Sequence, residues 1–364
     1  MPEFDLTQIY NLKDLKKLKK AGASAQVIQQ AHALLPENKK RRKKATKKLL
    51  NLSWSHILSA KHQIKKLAKQ GANLNVKDAY GYTMLHQACM VIPCSAKKIK
   101  FLVKCGVNVN VKDKKGNTPL HWLCGTGQIK MVRFLVEHGA DIHATNIYGE
   151  TLLHKACGFG HMETVEFLLE QGADIHALTK YGELPLHKAC EGTNVDLVKL
   201  LVAEGFGVNV ENASGNTPLH YASMHDTGMV EVLTAYGADI HSSNITGRTP
   251  LHIASAQGCS RAVKHFVKCG ADVNASDICG RTPVHKSMFS YPVLAGYLVR
   301  HGANPHIRDI GGQNAFDVAP DYDSKIILEN ACKVREEETG TRKICSGQSR
   351  LSVFMDRVLN YRIF

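Results

Sequence analysis

Gly116-Asn117-Thr118-Pro119-Leu120-His121 is the stretch on which the reading of this chain turns. Its histidine returns at His86, His154, His187, His220, His252 and His285, so that seven histidines stand 32 to 35 residues apart. Behind each comes an apolar run with helical period, such as Met131, Val132, Phe134 and Leu135. Each run then meets a glycine: Gly106, Gly139, Gly172, Gly205, Gly237, Gly270 and Gly302. Local chemistry explains this punctuation. Thr118 offers a hydroxyl that caps a helix N-terminus, Pro119 suits the first helical position because its missing N–H would go unpaired there anyway, and Leu120 opens the buried face. Gly139 follows the second helix where a left-handed residue ends it. Asp/Asn-x-x-Gly turns (Asp113 to Gly116, Asn146 to Gly149, Asp277 to Gly280) then cross to the next unit. One helix pair cannot bury its apolar face alone, so the units are expected to stack.

Self-similarity at about 33 residues with a Thr-Pro-Leu-His start resembles the ankyrin repeat. The resemblance covers residues 52–333. It implies an all-α ankyrin-repeat solenoid of helix-turn-helix units with projecting β-turns, and a concave face made by those turns and the first helices. The expected organisation is a basic helical N-terminal arm (1–51), a repeat domain (52–333) and a tail of polar linker plus amphipathic C-terminal helix (334–364). Within the repeat domain, residues 52–77 form an N-terminal cap, 78–308 seven full repeats and 309–333 a C-terminal cap. The N-terminal cap, from Trp54 to Asn73, lacks Thr-Pro-Leu-His. In the C-terminal cap, Gly312 to Asp317 keeps the register with Asp317 in the histidine place, and Ile326, Ile327 and Leu328 form a last helix. The first full repeat carries two extra residues around Val91-Ile92-Pro93-Cys94, and Leu184 replaces the capping threonine. Residues 4–36 read as one or two short helices parted at Gly22, and Leu351, Phe354, Met355, Val358 and Leu359 fall on one helical face.

The 364 residues carry 47 Lys/Arg against 32 Asp/Glu, a net charge of +15. Residues 1–72 hold 17 basic and 4 acidic residues, so most of the excess sits in one fifth of the chain. Its peak, Lys39, Lys40, Arg41, Arg42, Lys43, Lys44, Lys47 and Lys48, has three readings: a nuclear-import signal, a patch for nucleic acid or anionic lipid, or a solvated linker face. Import leads, because density and placement suit it. With 44% apolar and 22% charged residues the chain is expected to fold and bury a core. No run has signal-peptide character and none reaches the length of a membrane span, so the expected location is cytoplasm or nucleus, with the eleven cysteines reduced.

Nineteen histidines and eleven cysteines invite metal or catalytic readings, which the register removes. Seven histidines start repeats, where the family role is bonding between units, and four more (His143, His176, His241, His306) hold the place of Asn75, Asn110, Asn209 and Asn274. Eleven are thus expected to be structural. Cys89, Cys124, Cys157 and Cys190 share a slot filled later by Ser223, Ser255 and Met288, which marks a packing position. No Cys-x-x-Cys, phosphate-binding glycine loop or His-Glu-x-x-His is present. His161-x-Glu163 is half a deaminase signature without its cysteine half. Lys98-Ile99-Lys100-Phe101 resembles a phosphatase-docking motif, but the register sets it inside a helix with Ile99 or Phe101 inward. No enzyme, cofactor or metal is expected.

What remains is recognition. The third turn position reads Tyr80, Lys115, Tyr148, Tyr181, Ser214, Thr246 and Cys279, and its tyrosines cluster early. Tyr82, Trp122 and Phe159 join them, with Lys114, Glu150, Glu183 and Glu191 as charged neighbours. Aromatics beside charges are what interface hot spots use. The expected function is a non-enzymatic adaptor or scaffold that binds one or more proteins and acts as a monomer. Nucleic acid is disfavoured for the repeats, because acid balances base beyond residue 130. Two alternatives stand beside it: a secreted effector of an intracellular bacterium or virus acting on a host protein, and a substrate adaptor of a ubiquitin ligase, for which no F-box or cullin-binding box is recognisable.

Overall fold

The computed structural model describes Lys17, Lys20 and residues 25–50, 60–92, 95–225 and 228–339. These residues form helices joined by tight turns, and among them no strand occurs, only an isolated bridge between Thr145 and Thr151. Two compact units divide the chain, residues 1–197 and 198–364. The first unit opens with α1 (Ala25–Leu50) and α2 (Lys61–Lys69). Helix pairs follow: α3 and α4 (Met84–Met90, Ala96–Lys104), α5 and α6 (Pro119–Thr126, Ile129–Glu137), and α7 and α8 (Leu152–Gly158, Met162–Glu170), then α9 (Pro185–Glu191). The unit boundary falls inside α10 (Val195–Ala203). The second unit holds the pairs α11 and α12 (Pro218–Ala222, Met229–Ala235), α13 and α14 (Pro250–Gln257, Ser260–Lys268), and α15 and α16 (Pro283–Met288, Pro292–Arg300), and ends with α17 (Tyr322–Thr339).

Each pair buries the residues its period selects. Leu120, Leu123 and Cys124 of α5 and Val132 and Leu135 of α6 are fully buried, as are Leu152, Leu153, Ala156 and Cys157 of α7. Burial of one such side chain contributes about 1.5–3 kcal/mol. The cysteine slot is confirmed as packing: burial alone pushes the Cys124 thiol far above its ordinary range, and it dominates at Cys157 and Cys190 too. Among the described cysteines Cys269 is exposed and Cys279 is half-buried.

The repeat-start histidines tie one repeat to the next. The Thr118 backbone N–H donates to His121 Nδ1 at 3.1 Å, and the Thr118 hydroxyl lies 2.9 Å from the same nitrogen. His121 Nε2 reaches the carbonyl of Glu150, in the following turn, at 3.4 Å. His86 meets the Asn117 carbonyl at 3.1 Å and His154 that of Glu183 at 3.0 Å; in the second unit His220, His252 and His285 meet Arg248, Arg281 and Gln313. A carbonyl only accepts, so Nε2 carries the proton, and Nδ1 must be bare to receive the backbone N–H. At Leu184 the hydroxyl is lost, yet the Leu184 N–H still donates to His187 Nδ1 at 3.0 Å.

The turns form a second ladder. Gly116 N–H donates to the Asp113 carbonyl, Asp113 Oδ1 receives Asn117 N–H at 2.9 Å, and Ile147 N–H donates to the Lys115 carbonyl one repeat back. Gly116 has φ +78, and a Cβ there would lie 2.8 Å from the Ile147 nitrogen. Both conformation and space therefore demand glycine.

Asn110 bridges to the next repeat, donating to the Gly139 carbonyl and accepting from Asp141 N–H; Asn209 and Asn274 do likewise. His143, His176, His241 and His306 in that place are exposed. Among the eleven histidines expected to be structural, these four do not make the asparagine's two-sided bridge, because an imidazole lacks the amide's adjacent donor and acceptor, although His306 stacks on Phe316 with ring centroids 5.3 Å apart.

The ends also depart from expectation. The basic run is not a linker: α1 carries it continuously as part of the helical arm, with Ala31, Asn38, Ala45 and Leu49 buried along one face. This helix packs on α2, and Thr46 Oγ1 receives the Asn73 N–H at 3.0 Å. Seven of its cations, Lys39, Lys40, Arg41, Lys43, Lys44, Lys47 and Lys48, are exposed, and Arg42 is half-buried. At the other end α17 continues through Thr339 instead of giving way to linker at 334, and Arg335 donates to the Ala303 carbonyl at 2.9 Å. In the terminal turn Asn314 and Asp317 cap one another, each side chain receiving the other's backbone N–H at 3.1 Å. The helix expected over 351–364, the two-helix reading at Gly22 and the start of the N-terminal cap at Trp54 lie outside the described residues.

Candidate partner-binding surface

The residues singled out for recognition all belong to the first unit, on the turns and first helices, with Phe159 at the residue that ends α7. Tyr80 (69% exposed), Phe159 (64%) and Tyr181 (57%) stand free of the core, and Tyr148 is partly exposed. Lys114, Lys115 and Glu191 are exposed as well. Tyr82 and Trp122 are half-buried, with rings 5.8 Å apart edge to face, a geometry favoured by the ring quadrupoles. The Trp122 indole N–H donates to Asp113 Oδ2 at 3.3 Å, which anchors the ring against the turn. Burial, then the charges of Asp113 and Asp78, raise the Tyr82 phenol above its ordinary value, so it stays neutral.

The turn carboxylates serve the fold more than the surface. Glu183 is buried, paired with Lys188 Nζ at 3.0 Å and reached by the Thr179 hydroxyl at 3.3 Å. Its selection as a contact residue is therefore corrected: a side chain committed to its own turn does not face a partner. Glu150 is half-buried beside Lys155 Nζ at 2.5 Å and Asn146 at 2.6 Å. Burial alone would raise its carboxyl, but the hydrogen bonds from Lys155 and Asn146 outweigh that and hold it low. Lys188 also reaches Glu191 at 3.0 Å.

Two hollows open among these side chains. One, of about 450 Å³, is lined by Ile92, Lys115, Trp122, Tyr148, Lys155 and Phe159, with Gly125 in its wall. The other, of about 390 Å³, lies against Tyr80, Tyr82, Met90 and Lys98. The structure thus brings Lys115, Trp122, Tyr148, Glu150 and Phe159 to one hollow and Tyr80 and Tyr82 to the next, while Lys114, Tyr181, Glu183 and Glu191 line neither. Sequence reasoning missed Ile92, 71% exposed, and Lys155. The signal for Ile92 was the two-residue insertion after α3, which lifts Val91 and Ile92 out of the packing register.

His161 Nε2 donates to the Gly125 carbonyl at 3.1 Å, a bond between repeats. Ile99 and Phe101 are buried within α4, so the docking-motif reading fails as expected. Among the described residues no group of three or more His, Cys, Asp or Glu could hold a metal ion, and no helix is long and apolar enough to cross a membrane.

Helix pairs on a 33-residue register, histidine-linked repeats and a turn ladder define a repeat protein built for recognition. The family model for ankyrin repeats (3 copies) matches residues 55–146, 92–179, 153–244 and 226–309, and the chain belongs to that family. Among solved structures it is similar to the human ASB11 ankyrin repeat domain, with a TM-score of 0.54 and 26% identity over 59% of this chain and 98% of that one. No curated protein matches.

Proposed function

We propose that this protein is a non-enzymatic adaptor or scaffold that binds a protein partner through Tyr80, Tyr82, Lys114, Lys115, Trp122, Tyr148, Glu150, Phe159, Tyr181 and Glu191. Membership of the ankyrin-repeat family makes it a protein-interaction module. The observation that carries the finer reading is the hollow between Ile92, Trp122, Tyr148 and Phe159, where large apolar rings stand beside Lys115 and Lys155. Exposed aromatics fixed at their bases lose little conformational entropy on binding, which is why they dominate interface energetics. The repeat domain proposed for this role spans 52–333, with α1 docked at its start.

The test compares proteins captured by the intact chain with those captured by Tyr148→Ala/Phe159→Ala. A partner retained by the first and lost by the second, with the melting temperature unchanged, supports the reading; identical capture by both sinks it. The exposed cations of α1 are proposed as a nuclear-import signal. Changing Lys40, Arg41, Arg42 and Lys43 to Ala should shift a tagged protein out of the nucleus, and an unchanged distribution dismisses that role.

A further inference from the structure

We propose that a second site lies on the second helices: an open groove across α2, α4 and α6 that binds a compact, multiply phosphorylated group of the kind an inositol ring carries. The groove, of about 660 Å³, gathers Lys61 and Lys65 from α2 and Lys97, Lys100 and Lys104 from α4. No carboxylate lines it, and neither α2 nor α4 contains an Asp or Glu. Lys61, Lys65, Lys97, Lys100 and Lys104 are all exposed.

The neighbouring helices set this apart from an ordinary solvated face. In α6 the cation Arg133 lies over the Phe167 ring at 4.3 Å and has Glu170 of α8 at 4.0 Å. One step earlier Lys100 lies over Phe134 at 5.5 Å, with Glu137 at the end of α6 in the place of Glu170 but outside the groove lining. Two steps earlier Lys61 lies over Phe101 at 5.5 Å, and there Lys104 stands where the acid would be. The chain places Glu163, Glu166 and Glu170 on α8, the single Glu137 at the end of α6, and none on α2 or α4. Lysines four apart on one helix, Lys61 with Lys65, Lys65 with Lys69 and Lys100 with Lys104, repel each other and weaken the helices that carry them. An arrangement that costs stability and is relieved by an anion is characteristic of a binding site.

The shape selects the class of anion. Ammonium groups are point charges with three donors each, and five around one hollow match a ligand with several phosphates on a small frame better than an acidic peptide with one carboxylate per residue. The two aromatic rings lie under lysine ammoniums and Phe101 is buried, so the groove offers no open platform on which nucleic-acid bases could stack.

Calorimetric titration with inositol hexakisphosphate, and co-sedimentation with phosphatidylcholine vesicles with and without phosphatidylinositol bisphosphate, test this on the full chain. Lys65→Glu/Lys97→Glu/Lys104→Glu should weaken binding by roughly a hundredfold. Lys39→Glu/Lys43→Glu/Lys47→Glu, the same charge change on α1, should change it by less than about threefold, because only the groove touches the ligand at short range. Groove-dependent binding to the soluble compound alone assigns a free ligand, and groove-dependent binding to the charged vesicles assigns a lipid headgroup. The proposal is overturned if neither probe binds, if the α1 variant loses as much as the groove variant, or if duplex DNA binds through the groove while both phosphorylated probes fail.

Discussion

The imidazole of His121 uses both its nitrogens in opposite senses, and that fixes how the molecule answers to acid. A proton on Nδ1 would face the Thr118 N–H, and burial leaves the resulting charge poorly solvated. Burial accordingly lowers His121 from 6.5 to about 4, and burial likewise lowers His86, His154, His220, His252 and His285. Each folded-state value lies below the unfolded one, so the unfolded chain takes up protons that the folded chain refuses as the pH drops below about 6.5. The stabilisation is complete above that pH and drains away towards pH 4. At about 1.36 kcal/mol per pH unit, His121 alone accounts for about 3 kcal/mol. Urea midpoints measured at pH 7 and pH 5 should therefore fall clearly, before Glu150 or Asp277, both held below the usual carboxylate range, begins to protonate. A midpoint that stays flat down to pH 5 would refute the neutral-ring arrangement.

At the scale of elements, the two glycines of each repeat do different work. Gly116 and Gly139 both have positive φ, but a Cβ at Gly116 would press on the Ile147 nitrogen whereas one at Gly139 meets open space. Gly139→Ala should cost about 1–2 kcal/mol for backbone conformation alone. Gly116→Ala should cost more, because the turn ladder must also open. Thermal melts of the two variants decide this, and equal losses would mean that the turns are not in close register. The helix pairs and turns were legible because each is punctuated locally, by Thr-Pro-Leu-His at one end and glycine at the other. The arm was legible as helical, but the unbroken course of α1 through the basic run was not, because its buried face is made of Ala31, Asn38, Ala45 and Leu49 and has little apolar contrast with the lysines around it. The candidate surface was legible where aromatic residues stood at turn positions, and illegible at Glu183 and Lys155, whose roles depend on which lysine meets which carboxylate in three dimensions.

On the scale of the whole molecule, the charge that looks like a general property is sorted by helix: cations crowd α1, α2 and α4, and carboxylates collect on α8. The packing of α1 on α2 can be tested through Leu49, which is fully buried. Leu49→Ala should cost about 2–5 kcal/mol locally. Because each repeat contacts mainly its neighbours, amide exchange should accelerate in 25–50 and leave 119–170 protected. Faster exchange throughout would instead mean one cooperative body. A last consequence follows from Asn314 and Asp317, which exchange backbone hydrogen bonds at 3.1 Å. A repeat-start histidine has two ends, one accepting from its own cap and one donating forward. An ionised carboxylate keeps the backward half and has no hydrogen to give. The array therefore has a grammatical direction, and Asp317 is its full stop: the side chain that closes the final turn is chemically unable to address a successor.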